Sequence, residues 1–200
     1  DFWTCAKTTS SGVREFFQKY FDAEQRAAFL RMWGLLLIPG PLQTREYAEA
    51  IFRKGGLDDE EISEQTDLRM QRRAKVDGPE PAQVTALIYE RALYYKVGAS
   101  TTMVDQLKEL LMLSRRRNVV LQVVRDDGYF PGTVGPFGIA SGPGISDIVD
   151  MVTVLDSVTD EPGPVGTVAA QFEVIHGYAC SVAESQTLMT EAIEWWSQQK

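Results

Sequence analysis

The sequence is poor in the residue types that mark several functional classes. It has two cysteines, Cys5 and Cys180, and one histidine, His176, in 200 residues. The cysteines match no metal or redox spacing, so we expect reduced thiols, a cytoplasmic protein, no metal and no cofactor. No apolar run approaches the ~20 residues that span a bilayer. The first residues lack the charged and apolar regions of a signal peptide, so we predict no membrane association.

Positive charge is also scarce. Lys and Arg together number 20 against 28 acidic residues, which gives a net charge of −8 at pH 7. Nucleic-acid binding relies on basic side chains that neutralise phosphates, so we expect no direct nucleic acid contact by this domain. The 44% hydrophobic content is ordinary for a globular protein. The length predicts a single domain over residues 1–200.

The first half of the chain reads mainly as helices. Phe29, Met32, Trp33 and Leu36 repeat at helical spacing and predict a helix over residues 23–37. Other predicted elements are a helix capped by Thr44, a helix opening at Asp58 or Asp59, a strand over residues 84–89, a helical turn over residues 92–97, and a helix from Thr101 or Thr102 to Leu113, with Asp105 completing a capping box.

The second half reads first as strands and then as helices. We predict strands over residues 119–124, 137–141 and 148–155, separated by Gly- and Pro-rich loops too short for helical crossovers. Helices follow over residues 167–182 and 184–198. This segregation predicts an α+β fold, with a helical N-terminal half packed on a small, mostly antiparallel sheet and with C-terminal helices.

The sequence offers only weak matches to catalytic motifs. His176 and Cys180 are four residues apart and would share one side of a helix. They resemble the start of a zinc site or a Cys–His pair, but no further ligand has a matching spacing. We therefore favour a structural interpretation for both. Ser141 lacks the pattern of a nucleophile elbow, and no glycine-rich loop has the setting of a phosphate cradle. Whether the protein is an enzyme stays open.

Several segments in register resemble one family. Residues 38–48, Ile-Pro-Gly-Pro-Leu-Gln-Thr-Arg-Glu-Tyr-Ala, are similar to its signature "PGLLQTpeYA". Arg69-Met70-Gln71-Arg72 resembles "RmaRQ", Tyr89-Glu90-Arg91-Ala92-Leu93 resembles "dEaaL", and Leu121-Gln122-Val123-Val124 resembles "vqVvP". The family is the domain of unknown function found C-terminal to the helix-turn-helix in Xre-type, antitoxin-like regulators of actinobacteria such as Streptomyces. The resemblance covers about residues 22–190.

The resemblance implies a sensor domain that answers a small molecule or a small partner protein, with a possible homodimer, while a separate helix-turn-helix binds DNA. Three positions depart from the pattern: Pro41 replaces a Leu, Arg125 replaces a Pro, and residues 152–156 lack the family's Tyr and Glu. An alternative is a stand-alone relative recruited to bind a natural product, or to catalyse a cyclisation or isomerisation without a cofactor. A helix-turn-helix encoded upstream of Asp1 would favour the regulator.

The candidate site follows from the same motifs. We expect a pocket between the helical half and the sheet. Residues that match polar or aromatic family positions are Gln43, Tyr47, Arg69, Arg72, Glu90 and Gln122, and the aromatic residues near them are Trp33, Tyr89, Tyr129 and Phe130. Structural roles compete with binding, since Gln43 and Thr44 can cap a helix and Arg72 can form an ion pair with Glu90.

Overall fold

A computed structural model of the protein describes residues 12–128, 135–151 and 157–199. These residues form an α+β fold built on one mixed sheet. The strands are β1 (Phe29–Gly34), β2 (Gln83–Tyr89), β3 (Val119–Val124), β4 (Phe137–Ser141), β5 (Ile148–Met151) and β6 (Ser157–Thr159). The helices are α1 (Gly12–Arg26), α2 (Arg45–Lys54), α3 (Asp59–Asp77), α4 (Arg91–Tyr94), α5 (Ser100–Leu113), α6 (Pro162–His176) and α7 (Val182–Ser197), with a 3-10 turn at Gly40–Leu42.

The strand order in the sheet is β3-β2-β1-β4-β5-β6. The strands β1, β2 and β3 run parallel, whereas β4, β5 and β6 continue from β1 in antiparallel pairs. The prediction that β3 pairs antiparallel is therefore wrong. It considered only the connections that follow β3, whereas α5 lies in the crossover that precedes β3 and makes the parallel pairing with β2 possible.

The predicted helix over residues 23–37 is also wrong. The helix α1 ends at Arg26, and Phe29–Gly34 is the central strand β1. Leu30 and Met32 belong to one hydrophobic cluster and Trp33 to another, as alternation in a strand requires. Apolar residues three and four positions apart fit the period of a helix. In so short an apolar run they also fit the alternation of a buried strand, so the sequence pattern does not distinguish the two.

Several boundary predictions are confirmed. Thr44 caps α2 by accepting a hydrogen bond from the Tyr47 N–H, and Asp58 caps α3 through a capping box with Glu61. The capping box predicted for Thr102 is wrong, because α5 begins after Ala99 without a side-chain cap. Tertiary packing of its buried apolar face holds that helix instead.

The C-terminal helices are displaced from their predicted bounds. Helix α6 begins at Pro162 and ends at His176, and α7 begins after Ser181, whose hydroxyl caps it in a capping box with Glu184. Of the strand predicted over residues 148–155, Ile148–Met151 is confirmed as β5, and residues 152–155 lie outside the described residues. None of the described helices is long and apolar enough to cross a membrane.

The sheet buries side chains on both faces. One face, here called the helical face, packs against α1, α2, α5 and α7 in the larger hydrophobic cluster, which includes Leu30, Ala86 and Leu121. The opposite face, here called the α6 face, packs against α6 around Trp33 and Phe172. Residues at alternate positions of each strand therefore face two different environments.

Candidate functional site

The segment between β1 and α2 is held by two of the predicted site residues. The Gln43 side-chain amide is buried and donates a hydrogen bond of 2.6 Å to the carbonyl oxygen of Ile38. The Tyr47 hydroxyl, from α2, accepts a hydrogen bond of 3.4 Å from the Ile38 N–H. Both polar groups of Ile38 are thus satisfied by side chains of the signature segment.

A buried glutamine that was not predicted as a site residue fixes the same segment from α5. The Gln106 amide donates to the Leu42 carbonyl oxygen at 2.9 Å, and its side-chain oxygen accepts from the Thr44 N–H at 2.8 Å. Gln106 is fully buried. The sequence signal for this role is a glutamine among the apolar residues of a helix. Both the oxygen and the NH2 group of a buried side-chain amide need hydrogen-bond partners.

Arg72 of α3 forms a buried ion pair with Glu24 of α1. Its Nε donates to one carboxylate oxygen at 2.6 Å and its Nη2 to the other at 2.9 Å. Burial by itself would lower the pKa of Arg72, but the Glu24 carboxylate overcomes that effect and raises it. The predicted pairing of Arg72 with Glu90 is wrong. Glu90 lies elsewhere and accepts a hydrogen bond from the Asp126 N–H at 2.8 Å.

Arg69 lies three residues earlier on α3 and has no such partner. Its Nη1 donates to the neutral Gln43 side-chain oxygen at 2.6 Å, and its guanidinium carbon lies 5.0 Å from the centre of the Phe52 ring. Within the described residues, no carboxylate lies at salt-bridge distance from Arg69. Burial and the neighbouring Arg72 lower the pKa of Arg69 to about 9. The group therefore remains charged at neutral pH.

Tyr20 of α1 completes the cluster and was not predicted. Its ring lies 5.7 Å from the Arg72 guanidinium carbon, and burial followed by the Glu24 charge raises its pKa well above 10. Its hydroxyl sits against Gly138 of β4, where an added Cβ would lie only 2.4 Å from the oxygen. The predicted helix over residues 23–37 begins after Tyr20, so this residue lay outside every predicted element. We call Tyr20, Glu24, Gln43, Arg69 and Arg72 the arginine cluster.

Three other predicted residues lie away from the arginine cluster. Trp33 and Tyr89 pack on the α6 face, with their ring centres 6.1 Å apart. The Tyr89 hydroxyl donates to the Asp126 carboxylate at 2.5 Å, which also accepts from Arg91. Glu90 joins this group through the Asp126 N–H. These residues connect the end of β2 to the loop after β3.

Gln122 of β3 contacts both His176 and Cys180, the two residues considered above as a Cys–His pair. Its side-chain oxygen lies 3.0 Å from His176 Nε2, and its amide donates to the Cys180 carbonyl oxygen at 2.7 Å. Cys180 is not helical, because α6 ends at His176, and the Cys180 N–H instead donates to Val123. The expected shared helical face does not exist. This contact extends the edge of the sheet and indicates a structural role.

The predicted residues are thus divided by the sheet. Gln43, Tyr47, Arg69 and Arg72 lie on its helical side, and Trp33, Tyr89 and Gln122 lie on its α6 face. Tyr129 and Phe130 lie outside the described residues. No group of three or more potential metal ligands occurs in the described ranges. The arginine cluster combines buried positive charge with hydrogen-bond donors, which is the chemistry of an anion site.

Comparison with known proteins gives one match. The sequence model of a family described as a domain of unknown function (DUF5753) matches residues 17–191. No curated protein and no solved structure matches the chain significantly. The matched range contains every predicted site residue and all of the arginine cluster.

Proposed function

The chain belongs to this family, DUF5753, and on that premise we propose that it is the ligand-sensing domain of an Xre-type transcriptional regulator, acting in the cytoplasm. The observation that carries the proposal is the state of Arg69, a largely desolvated guanidinium whose hydrogen-bonded partner is a neutral amide. We propose that the signal is a small anion, or an anionic group of a larger metabolite, that contacts Arg69.

The charges of the arginine cluster support an anionic ligand. Glu24 is committed to Arg72 by two hydrogen bonds, so its charge, like that of Asp150, acts on Arg69 only from a distance. A guanidinium carries five N–H donors, of which the contact with Gln43 uses one. A bound carboxylate or phosphate would form charge-assisted, bidentate hydrogen bonds with the N–H donors of Arg69 that the contact with Gln43 leaves over.

The connections of Arg69 offer a route from ligand to fold. Arg69 contacts Gln43, which holds Ile38, and Arg72 on the same helix is bound to Glu24 of α1. A ligand that draws Arg69 away from Gln43 would loosen the segment after β1 and shift α3 relative to α1. A ligand shifts the populations of two arrangements only if it binds one of them more tightly, and in this proposal it favours the arrangement in which Arg69 has left Gln43.

The acidic composition suits a domain that does not itself contact nucleic acid. A net charge of −8 opposes binding to phosphates, so DNA recognition is assigned to a separate helix-turn-helix. A rearrangement of α1 and α3 would be transmitted to a small partner protein, or to a second copy of the chain, bound to this domain.

Native mass spectrometry of the protein made from its complete gene tests the proposal. We expect a small anionic molecule to be retained by the wild-type protein and by Arg53→Gln, an exposed arginine on α2, but not by Arg69→Gln. The complete gene is expected to encode a helix-turn-helix. A retained molecule that survives Arg69→Gln would contradict the role of Arg69. A gene without a DNA-binding segment would contradict the regulator.

A further inference from the structure

A concavity lies on the α6 face of the sheet, away from the arginine cluster. It is a groove of about 310 Å³ at the start of β1 and β2. The residues that line it are Phe29, Leu30, Arg31, Gln83, Thr85, Ser141 and Asp147. The strand register places Phe29 beside Ser141 and Arg31 beside Thr85. Neither the family resemblance nor the arginine cluster involves these residues.

Arg31 supplies unused donors to this groove. Its guanidinium nitrogens lie 4.0 Å from Asp147 and 3.9 Å from Glu173, both longer than the 2.7–3.2 Å of a hydrogen bond. Its guanidinium carbon lies 5.9 Å from the centre of the Phe172 ring, so α6 positions it from one side. Within the described residues, the Arg31 side chain donates no hydrogen bond. The two carboxylates orient Arg31 without consuming its N–H groups.

Two hydroxyl groups beside Arg31 are also without recorded partners in the described part of the chain. The Ser141 hydroxyl oxygen is buried and makes no hydrogen bond there. Thr85 lies next to Arg31 on the neighbouring strand and is half-buried. A buried hydroxyl without a partner is unfavourable, so a ligand that turns the Ser141 side chain into the groove and bonds to it would remove a cost already present in the fold.

The remaining walls limit the chemistry of the occupant. The Phe29 side chain is 52% exposed at the groove, which leaves an apolar ring surface for stacking. Asp147 and Glu173 place two carboxylates around a single guanidinium. The local negative charge disfavours an anion, and the exposed Asp147 carboxylate can accept a hydrogen bond from a ligand N–H.

We propose that this groove binds a small, flat, uncharged ring that carries a cyclic or exocyclic amide, the chemistry shared by nucleobases and nicotinamide. The ring lies on Phe29, the amide carbonyl accepts from Arg31 and from Ser141 after its side chain turns into the groove, and the amide N–H donates to Asp147. The groove is separated by the sheet from Arg69 and prefers an uncharged ligand, so this site stands independently of the proposed function.

Titration by ¹H–¹⁵N NMR with uracil and with nicotinamide tests the site. We expect at least one of these probes to shift the backbone amides of Arg31, Thr85 and Ser141 in a saturable way. Phe29→Ala and Arg31→Gln should each weaken binding by about tenfold, as expected for losing a stacking surface or a charged donor. Met112→Ala is the matched control, because Met112 is equally exposed but lies on α5.

Three results would overturn the proposal. The first is no saturable shift at the groove with either probe up to its solubility limit. The second is a probe affinity that is the same in Phe29→Ala and Arg31→Gln as in the control variant Met112→Ala. The third is benzoate, a flat anion, binding as tightly as the uncharged probes. Ser141→Ala provides a conservative second variant, and circular dichroism confirms that each variant is folded before it is titrated.

Discussion

Replacing Glu24 by Gln tests the arginine cluster through stability. Glu24 is fully buried, and it bonds Arg72 through both carboxylate oxygens at 2.6 and 2.9 Å. Glutamine preserves the shape of the side chain but removes the negative charge. The buried Arg72 then loses its bidentate carboxylate partner beside the half-buried Arg69, and loss of a counter-charge at a buried site is strongly unfavourable.

The expected loss is large for a single substitution. Breaking a buried ion pair from one side costs about 3–5 kcal/mol, against a total stability of about 5–15 kcal/mol for a domain. Because glutamine still offers one acceptor to Arg72, we place Glu24→Gln near the lower end, at about 3 kcal/mol. For a chain of this length, each kcal/mol lowers the thermal midpoint by about 2–4 °C, so we expect a fall of about 6–12 °C.

Urea and thermal unfolding, followed by circular dichroism, measure this change. The matched control is Asp160→Asn, which breaks the exposed contact of 2.8 Å between Lys19 and Asp160 and should leave the midpoint nearly unchanged. The double variant Glu24→Leu with Arg72→Met should be more stable than Glu24→Leu alone, because it leaves no unpaired charge at this position. A Glu24→Gln midpoint equal to that of Asp160→Asn would refute the claim that Glu24 balances buried charge.

Three further predictions concern neighbouring residues. Gly138→Ala should destabilise by about 1–3 kcal/mol, since its Cβ would meet the Tyr20 hydroxyl at 2.4 Å, and in a Tyr20→Phe background urea unfolding should show a smaller loss. Above about pH 10 the unfolded chain releases the Tyr20 proton while burial raises the folded pKa, so stability should fall with rising pH by up to about 1.4 kcal/mol per unit, and less steeply in Tyr20→Phe. Gly40→Ala places a Cβ 3.3 Å from Arg69 Nη1 and should weaken retention of an anionic ligand in native mass spectra while leaving far-ultraviolet circular dichroism unchanged.

Local chemistry predicted the starts of α2 and α3 but not the start of α5. Thr44, and Asp58 as one of two candidates with Asp59, were identified from their residue types, because the hydrogen bonds of a cap form within a few residues. The strand at Phe29–Gly34 was missed, because its assignment depends on pairing with β2 and β4, which are distant in sequence. Parallel pairing of β3 was missed for the same reason.

The candidate site was predictable only in part. Gln43 and Arg69 were identified from the family motifs, and they do touch. The partner of Arg72 was assigned wrongly, because an ion pair between α1 and α3 is set by helix packing and not by spacing along the chain. The groove at Arg31 could not be predicted, since it arises where strands from three separate segments meet.

The most direct test of the central claim is to observe Arg69 itself. Side-chain ¹⁵Nε NMR of arginine-labelled protein can follow Arg69 and the exposed Arg53 during titration with acetate, benzoate, phosphate and pyrophosphate. The account predicts a saturable shift of the Arg69 resonance with at least one of these anions, without a matching shift of Arg53. If the Arg69 resonance stays unmoved by all four, or moves only in parallel with Arg53, the claim that it forms the anion site of a sensor domain is contradicted.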